Sequence, residues 1–354
     1  VKFYQITLQP RSAFATPLKG DTLFGHFCWQ AAHDPSLLEG GLDTWIRRYG
    51  EQPFAIFSSA YIKTEHNGTC WFLKRPDLPL SFFKSYAGLD KKERILKAKE
   101  MKKQKWMQIN GSLNIDLAGG TFLNDTELLD ILENELSPET RRSLGHLDQK
   151  QVSISFSQPH NSINRLTGTT GRGGMFAPFT TKSTCYFPEV ELVIFVLIEE
   201  SATDIERVLK GITRIGQWGF GKDASTGMGR FEVAEHDPMT MPDISNTMAF
   251  YTLAPSVPEQ GFFNSSGIEK NGMNAFFTPF TRFGKHGSTI AVSGNPFKNP
   301  VIMADEGAVF IPDRTQAEMI VKKQYMGTAV GGISKSMPHT VAQGYTPVLP
   351  MQLA

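Results

Sequence analysis

The 354-residue sequence predicts an α+β fold. Three observations carry that expectation. The run LVIFVLI at 192–198 is β-branched and short, which suits a buried strand and is far too brief to span a bilayer. The segment DIERVLKGITRIGQ at 204–217 repeats its apolar residues at helical spacing. Strand and helix patterns also alternate through the first half instead of segregating. Hydrophobic residues make up 40% and charged residues 20%, enough apolar surface to bury a core and to exclude disorder as the main state. At roughly 150 residues per domain the length predicts two domains.

Residues 2–8 alternate around Phe3, Ile6 and Leu8 and predict a first strand, which Pro10 and Pro17 end. A helix follows over 22–33, with Asp21 as its expected N-cap. A second helix is expected at 35–49 and a second strand at 54–61. Residues 84–106 predict a basic helix, with nine basic and three acidic residues; its default role is a solvated face. Residues 125–135 predict an acidic helix. VSISF at 152–156 predicts a strand that leads through a long excursion to the strand at 192–198, then the helix at 204–217 and a strand at 230–234. The order β-α-β-insert-β-β-α-β is close to a ferredoxin-like unit. Residues 238–242 are the expected boundary, dividing the chain into 1–240, with a helical insert at about 71–150, and a β-rich 241–354.

Three cysteines, Cys28, Cys70 and Cys185, in no C-x-x-C spacing argue against a disulfide framework and a structural metal site. The N-terminal stretch has no signal-peptide pattern, so a cytoplasmic location is expected, with no membrane contact. No cofactor motif survives its context. Gly219 to Ala224 fits the loose G-x-G-x-x-A fingerprint, but a helix precedes it and a strand follows, the reverse of what dinucleotide binding requires. The phosphate-loop pattern fails because Asp223 follows Lys222.

Five glycines, Gly216, Gly219, Gly221, Gly227 and Gly229, are interleaved with Lys222, Ser225, Thr226 and Arg230. One or two would suit an ordinary turn. Five favour close backbone approach to a phosphate chain, with amide N–H groups meeting phosphate oxygens and Lys222 and Arg230 adding charge. The formal net charge is +1, so a nucleic-acid role needs local segregation. Three windows supply it: 149–188, 270–304 and 319–354 contain no acid and carry Lys150, Arg165, Arg172, Lys182, Lys270, Arg282, Lys285, Lys298, Lys322, Lys323 and Lys335. His26 is a candidate acid or base for RNA cleavage, but no partner base is identifiable and a structural histidine is favoured.

Three segments, LKGDTLFGHFCWQ, NSINRLTGTTGRGGMFAPF and GFGKDASTGMGRFEV, together resemble the RAMP superfamily. More narrowly they resemble the fifth-Cas group of type III CRISPR effector complexes, as in Csm subunit four of type III-A. The resemblance implies two ferredoxin-like (RRM-related) modules and a non-catalytic, RNA-binding structural subunit. Such a subunit binds the 5′ tag of the CRISPR RNA and joins the large polymerase/cyclase subunit to the backbone RAMP filament, meeting target RNA indirectly. The positions that match are Lys19, Gly20 and Asp21 at the first helix; Asn161, Ser162, Asn164, Arg165, Thr167 and Gly168 before a thumb-like loop; and Gly219, Gly221, Lys222, Ser225, Thr226, Gly227, Gly229 and Arg230 in the glycine loop. Arg172, Arg282 and Lys335 are added as RNA contacts from the acid-free windows. Phe176, Phe179 and Trp218 are available for stacking or wedging a duplex. The alternative expectation is a metal-independent endoribonuclease that processes repeat RNA through His26.

Overall fold

A computed structural model of the chain describes residues 1–65, 68–86, 88–146, 151–171, 176–242, 249–259 and 274–353. The first half begins with β1 (Lys2–Pro10), α1 (Gly20–His33), α2 (Leu42–Arg48), β2 (Ala55–Phe57) and β3 (Tyr61–Thr64). The middle region follows with β4 (Cys70–Lys74), α3 (Lys91–Lys103), β5 (Trp106–Asn110), β6 (Ile115–Asp116), β7 (Thr121–Leu123), α4 (Asp125–Leu132), α5 (Pro138–Leu144), β8 (Ser153–His160) and β9 (Phe179–Tyr186). Then come β10 (Glu191–Ile198), α6 (Ile205–Trp218) and β11 (Phe231–Met239). The second half holds β12 (Ala249–Thr252), β13 (Asn274–Phe276), β14 (Pro279–Arg282), β15 (Val301–Ala304), β16 (Val309–Ile311), α7 (Arg314–Lys323), β17 (Tyr325–Gly327) and β18 (Tyr345–Gln352). The fold is α+β.

The first sheet runs β11-β1-β10-β3-β4-β5-β7, with β2 also on β10. β1 lies between β10 and β11 and is antiparallel to both, in register from Lys2↔Ile198 to Leu8↔Leu192 on the β10 side. The run at 192–198 is apolar throughout because β10 is buried along nearly its whole length. α6 is capped by Asp204, whose carboxylate accepts the Arg207 N–H at 2.9 Å, and buries Val208, Ile212 and Ile215 along one stripe. α6 crosses α1 at Gly211, where a Cβ would come within 2.6 Å of the Phe27 ring.

The second sheet runs β13-β16-β12-β18-β17, and β6 pairs in parallel with β18. One core joins the sheets: Phe24, Phe57, Trp71 and Phe195 pack in the same cluster as Tyr251, Leu349 and Met351. β11 runs to Met239, into the expected 238–242 boundary, and β12 starts at Ala249.

Three local expectations are corrected. The insert is not simply helical, since β4, β5 and β7 extend the first sheet and β6 joins the second. The helix expected at 35–49 is broken by Gly40 and Gly41, both at positive φ, leaving a 3-10 turn and α2. The basic helix is only α3. Asp90 caps it, accepting from the N–H groups of Lys92 and Glu93 while Glu93 reaches back to the Asp90 N–H, and Trp106 opens β5.

Candidate RNA interface

Three segments converge beside α1: the glycine loop between α6 and β11, the turn at 12–18, and the β8–β9 hairpin. α6 stops at Trp218, which is 75% exposed, and the chain folds back into β11. The Phe220 N–H donates to Gly229 O and the Gly229 N–H to Ala13 O, both at 2.8 Å. The Lys222 N–H donates to Thr16 Oγ1 at 2.9 Å, and the Arg230 N–H to Ser12 Oγ at 2.8 Å. Gly221 has φ +76 and a Cβ there would lie 2.4 Å from Thr16 Cβ; Gly229 has φ +72 and its Cβ would lie 2.1 Å from Phe220 O. These glycines let the loop pack against the protein itself. The expected role of their amides is therefore corrected: those of Gly219, Phe220, Gly221, Lys222, Gly227, Gly229 and Arg230 donate within the chain. What the loop turns outward is side chains, those of Lys222, Ser225, Thr226 and Arg230. Gly227, at φ +95, faces open space.

His26 holds this loop in place. Its Nε2 accepts the Gly221 N–H at 3.0 Å, and its ring lies against Phe220 with centroids 4.8 Å apart. Burial, helped by the charge of Lys298, pushes the imidazole pKa down to about 4. The ring is thus neutral at neutral pH, with Nε2 already engaged by the loop backbone.

The hairpin pairs in register from Ser153↔Tyr186 to His160↔Phe179. A two-residue bridge, Phe14↔Thr184, anchors it to the 12–18 turn. Lys222 reaches across to it: Nζ donates to Thr181 Oγ1 at 3.0 Å and lies 5.9 Å from the centre of the Phe179 ring. Phe179 stacks on His160 at 5.2 Å. Between hairpin and turn is a cleft of about 360 Å³ lined by Phe14, Ala15, Pro17, Leu18, Ser155, Lys182, Thr184 and Tyr186. Its walls are apolar and aromatic, and its polar groups are hydroxyls and one ammonium.

Beyond the hairpin, Asn161 and Arg165 are exposed. Asn164 shapes the turn by accepting the Leu166 N–H at 2.9 Å and pairing its backbone with Thr169, which leaves Leu166 96% exposed. Phe176 is half-buried, with its carbonyl accepting the Gly171 N–H at 2.9 Å. Arg172 lies outside the described residues, as do Lys150 and Lys270. Lys335 is exposed on a loop of the second half.

Lys19, Gly20 and Arg282 are not brought to this surface as free RNA contacts, and the expectation for them is corrected. Lys19 bonds Asp305 and both carboxylate oxygens of Glu306, the latter at 2.8 Å. Burial opposes its charge, but Glu306 and Asp305 together hold its pKa above the ordinary lysine value. A Cβ on Gly20 would lie 2.2 Å from Phe57 O, so this glycine serves packing. Asp21 is not the N-cap. Lys19 holds that position, and Asp21, buried in the first turn, takes Arg282 in a bidentate pair at 2.6 and 2.9 Å.

The cleft residues Lys182, Ser155, Thr184 and Tyr186 had no motif of their own, although Lys182 falls in an acid-free window. Among the described residues no group of three or more His, Cys, Asp or Glu side chains gathers to hold a metal, and no helix is long and apolar enough to cross a membrane.

No family model and no curated protein matches the sequence. Solved structures do match over the whole chain. One is a Csm3–Csm4 subcomplex of the type III-A CRISPR-Cas interference complex, with a TM-score of 0.52 and 13% identity over 99% of this chain and 100% of that one. Others are Csm1–Csm4 cassettes, in complex with pppApA at a TM-score of 0.50 and 15% identity, and with cA4 at 0.50 and 14%, each covering 100% of this chain and 99% of that one. The fold of the chain is thus similar to that of Csm4, which is named in all three of these assemblies.

Proposed function

We propose that this protein is a non-catalytic, RNA-binding structural subunit of a type III-A CRISPR interference complex. It holds the 5′ tag of the CRISPR RNA and joins the large subunit to the backbone filament in the cytoplasm, and both of its sheets are read as ferredoxin-like modules. The observation that carries this reading is the cleft between the 12–18 turn and the β8–β9 hairpin, with Lys182 in its lining and Lys222 on Thr181 and the exposed Phe179 across the other face of the same hairpin, in a chain with the Csm4 fold. A splayed nucleotide needs an apolar slot for its base and a few cations for its phosphate. That demand is met without a high net charge. The engagement of His26 with Gly221 supports a scaffold over a nuclease.

The test is co-expression with the CRISPR RNA and the neighbouring subunits, followed by sequencing of the retained RNA. The expected result is RNA with a constant 5′ end, lost several-fold from a Lys182→Ala/Lys222→Ala variant that still assembles. RNA of random ends, or full retention by the double variant, would overturn the reading. Metal-free cleavage of repeat RNA that His26→Ala abolishes would overturn its non-catalytic part.

A further inference from the structure

A second surface, apart from the cleft, carries aromatic rings in an acid-free setting. β14 and β15 form a two-stranded ribbon in register from Pro279↔Ala304 to Arg282↔Val301. The ribbon continues past its regular strands. Lys285 bridges Phe297, and two ladder bonds of 2.8 Å bracket that bridge, from the His286 N–H to Pro296 O and from the Lys298 N–H to Gly284 O. Alternation gives the ribbon two different faces. The inner face places Phe280 and Arg282 against Lys19 and Asp21. The outer face carries Phe283, 77% exposed, and Lys285 beside Phe297, 66% exposed. The Lys285 ammonium lies 5.7 Å from the centre of the Phe297 ring.

Large rings at this exposure on a fixed backbone are unusual in a protein with a closed core. The ribbon is fixed at both ends. Its inner arginine is locked to Asp21, and beyond the bridge the buried His286 bonds Ser334 at 2.7 Å. No Asp or Glu occurs from 271 to 304. Two exposed π-faces on an anchored ribbon with one ammonium beside them, and no carboxylate on the same ribbon, match unpaired bases joined by phosphates better than an acid-rimmed protein surface.

We propose that the outer face of the β14–β15 ribbon is a stacking platform for single-stranded RNA, with Phe283 and Phe297 each taking a base and Lys285 the phosphate between them. The ribbon borders the glycine loop through α1: a Cβ on Gly287 would lie 3.4 Å from the Trp29 ring, and one turn before Trp29 His26 holds Gly221. The proposal rests on the RNA-binding reading but concerns a different surface and sequence-independent contacts.

The experiment measures binding of a short fluorescent uridine homopolymer to the full chain. Phe283→Leu/Phe297→Leu is expected to weaken binding about tenfold or more. Phe297→Trp is expected to keep the affinity, with its indole fluorescence quenched by single-stranded RNA and unmoved by an RNA duplex. Unchanged homopolymer affinity in the leucine variant, or equal quenching by duplex, would overturn the platform. So would unchanged affinity together with loss of a neighbouring subunit, which would make the face a protein-docking surface. Retention of RNA with a defined 5′ end, read separately through Lys182 and Lys222, tells failure of the platform from failure of the reading beneath it.

Discussion

At the N-terminus of α1, Lys19 and Arg282 meet carboxylates brought from the opposite half of the chain. At the glycine loop and hairpin, Lys222 and Lys182 form no ion pair among the described residues, and the Lys222 ammonium rests on a neutral hydroxyl and an aromatic ring. The first pair of cations is neutralised and largely buried, so its work is to lock the two halves in register. The second pair keeps its charge toward solvent. The lesson is that a basic residue beside a glycine offers charge to a polyanion only when no distant carboxylate returns to it.

Substitutions should separate the two regions, and the largest effect belongs to the locked one. Lys19→Met leaves the buried Glu306 with only the Ser59 hydroxyl and Asp305 with only Lys74 at 3.8 Å among the described residues, and is expected to cost about 4 kcal/mol in urea unfolding. Arg282→Leu leaves the buried Asp21 carboxylate unpaired and is expected to cost about 3 kcal/mol by the same measurement. A loss below about 1 kcal/mol in both would break the comparison.

His26 gives a pH signature at the loop. Its imidazole titrates near 6.5 when unfolded and at about 4 when folded, so between those values the unfolded chain binds the extra proton. Stability from this group is complete above pH 6.5 and falls as the pH drops toward 4, by about 3 kcal/mol. His26→Gln, which supplies an amide oxygen to the Gly221 N–H, is expected to flatten that limb of the pH profile. Within the loop, Gly227→Ala meets only a backbone penalty of about 1 kcal/mol, because its Cβ would face open space. Gly221→Ala adds the clash with Thr16 and is expected to cost more. Lys222→Ala should change stability least, within about 0.5 kcal/mol, while lowering RNA retention.

The sequence was most readable where one element answers one local rule. β10 is an unbroken apolar run because it lies inside a sheet, and α6 has a capping aspartate, a regular stripe and a terminal glycine. β4 and β5 were hidden because the lysine-rich α3 between them dominates the composition of the insert. The glycine loop was legible as a place where side chains are excluded, but not what excludes them; Thr16 lies about two hundred residues away, at Lys222. Lys19 and Arg282 misled for the same reason, since Asp305 and Asp21 carry no local mark of their partners. The cleft is made by three segments that no short window contains together.

Lys19 and Asp305 stand 286 positions apart, and β6 waits for β18 as its parallel neighbour. During translation, α1 and the middle strands are therefore complete long before their last contacts exist. Closing such long loops is slow, and the nascent chain meanwhile keeps unsatisfied strand edges and apolar surface that Tyr251, Leu349 and Met351 will later cover. A ribosome-bound intermediate of this kind is vulnerable to aggregation. The yield of the protein should then depend on synthesis rate and chaperone supply more than its final stability suggests.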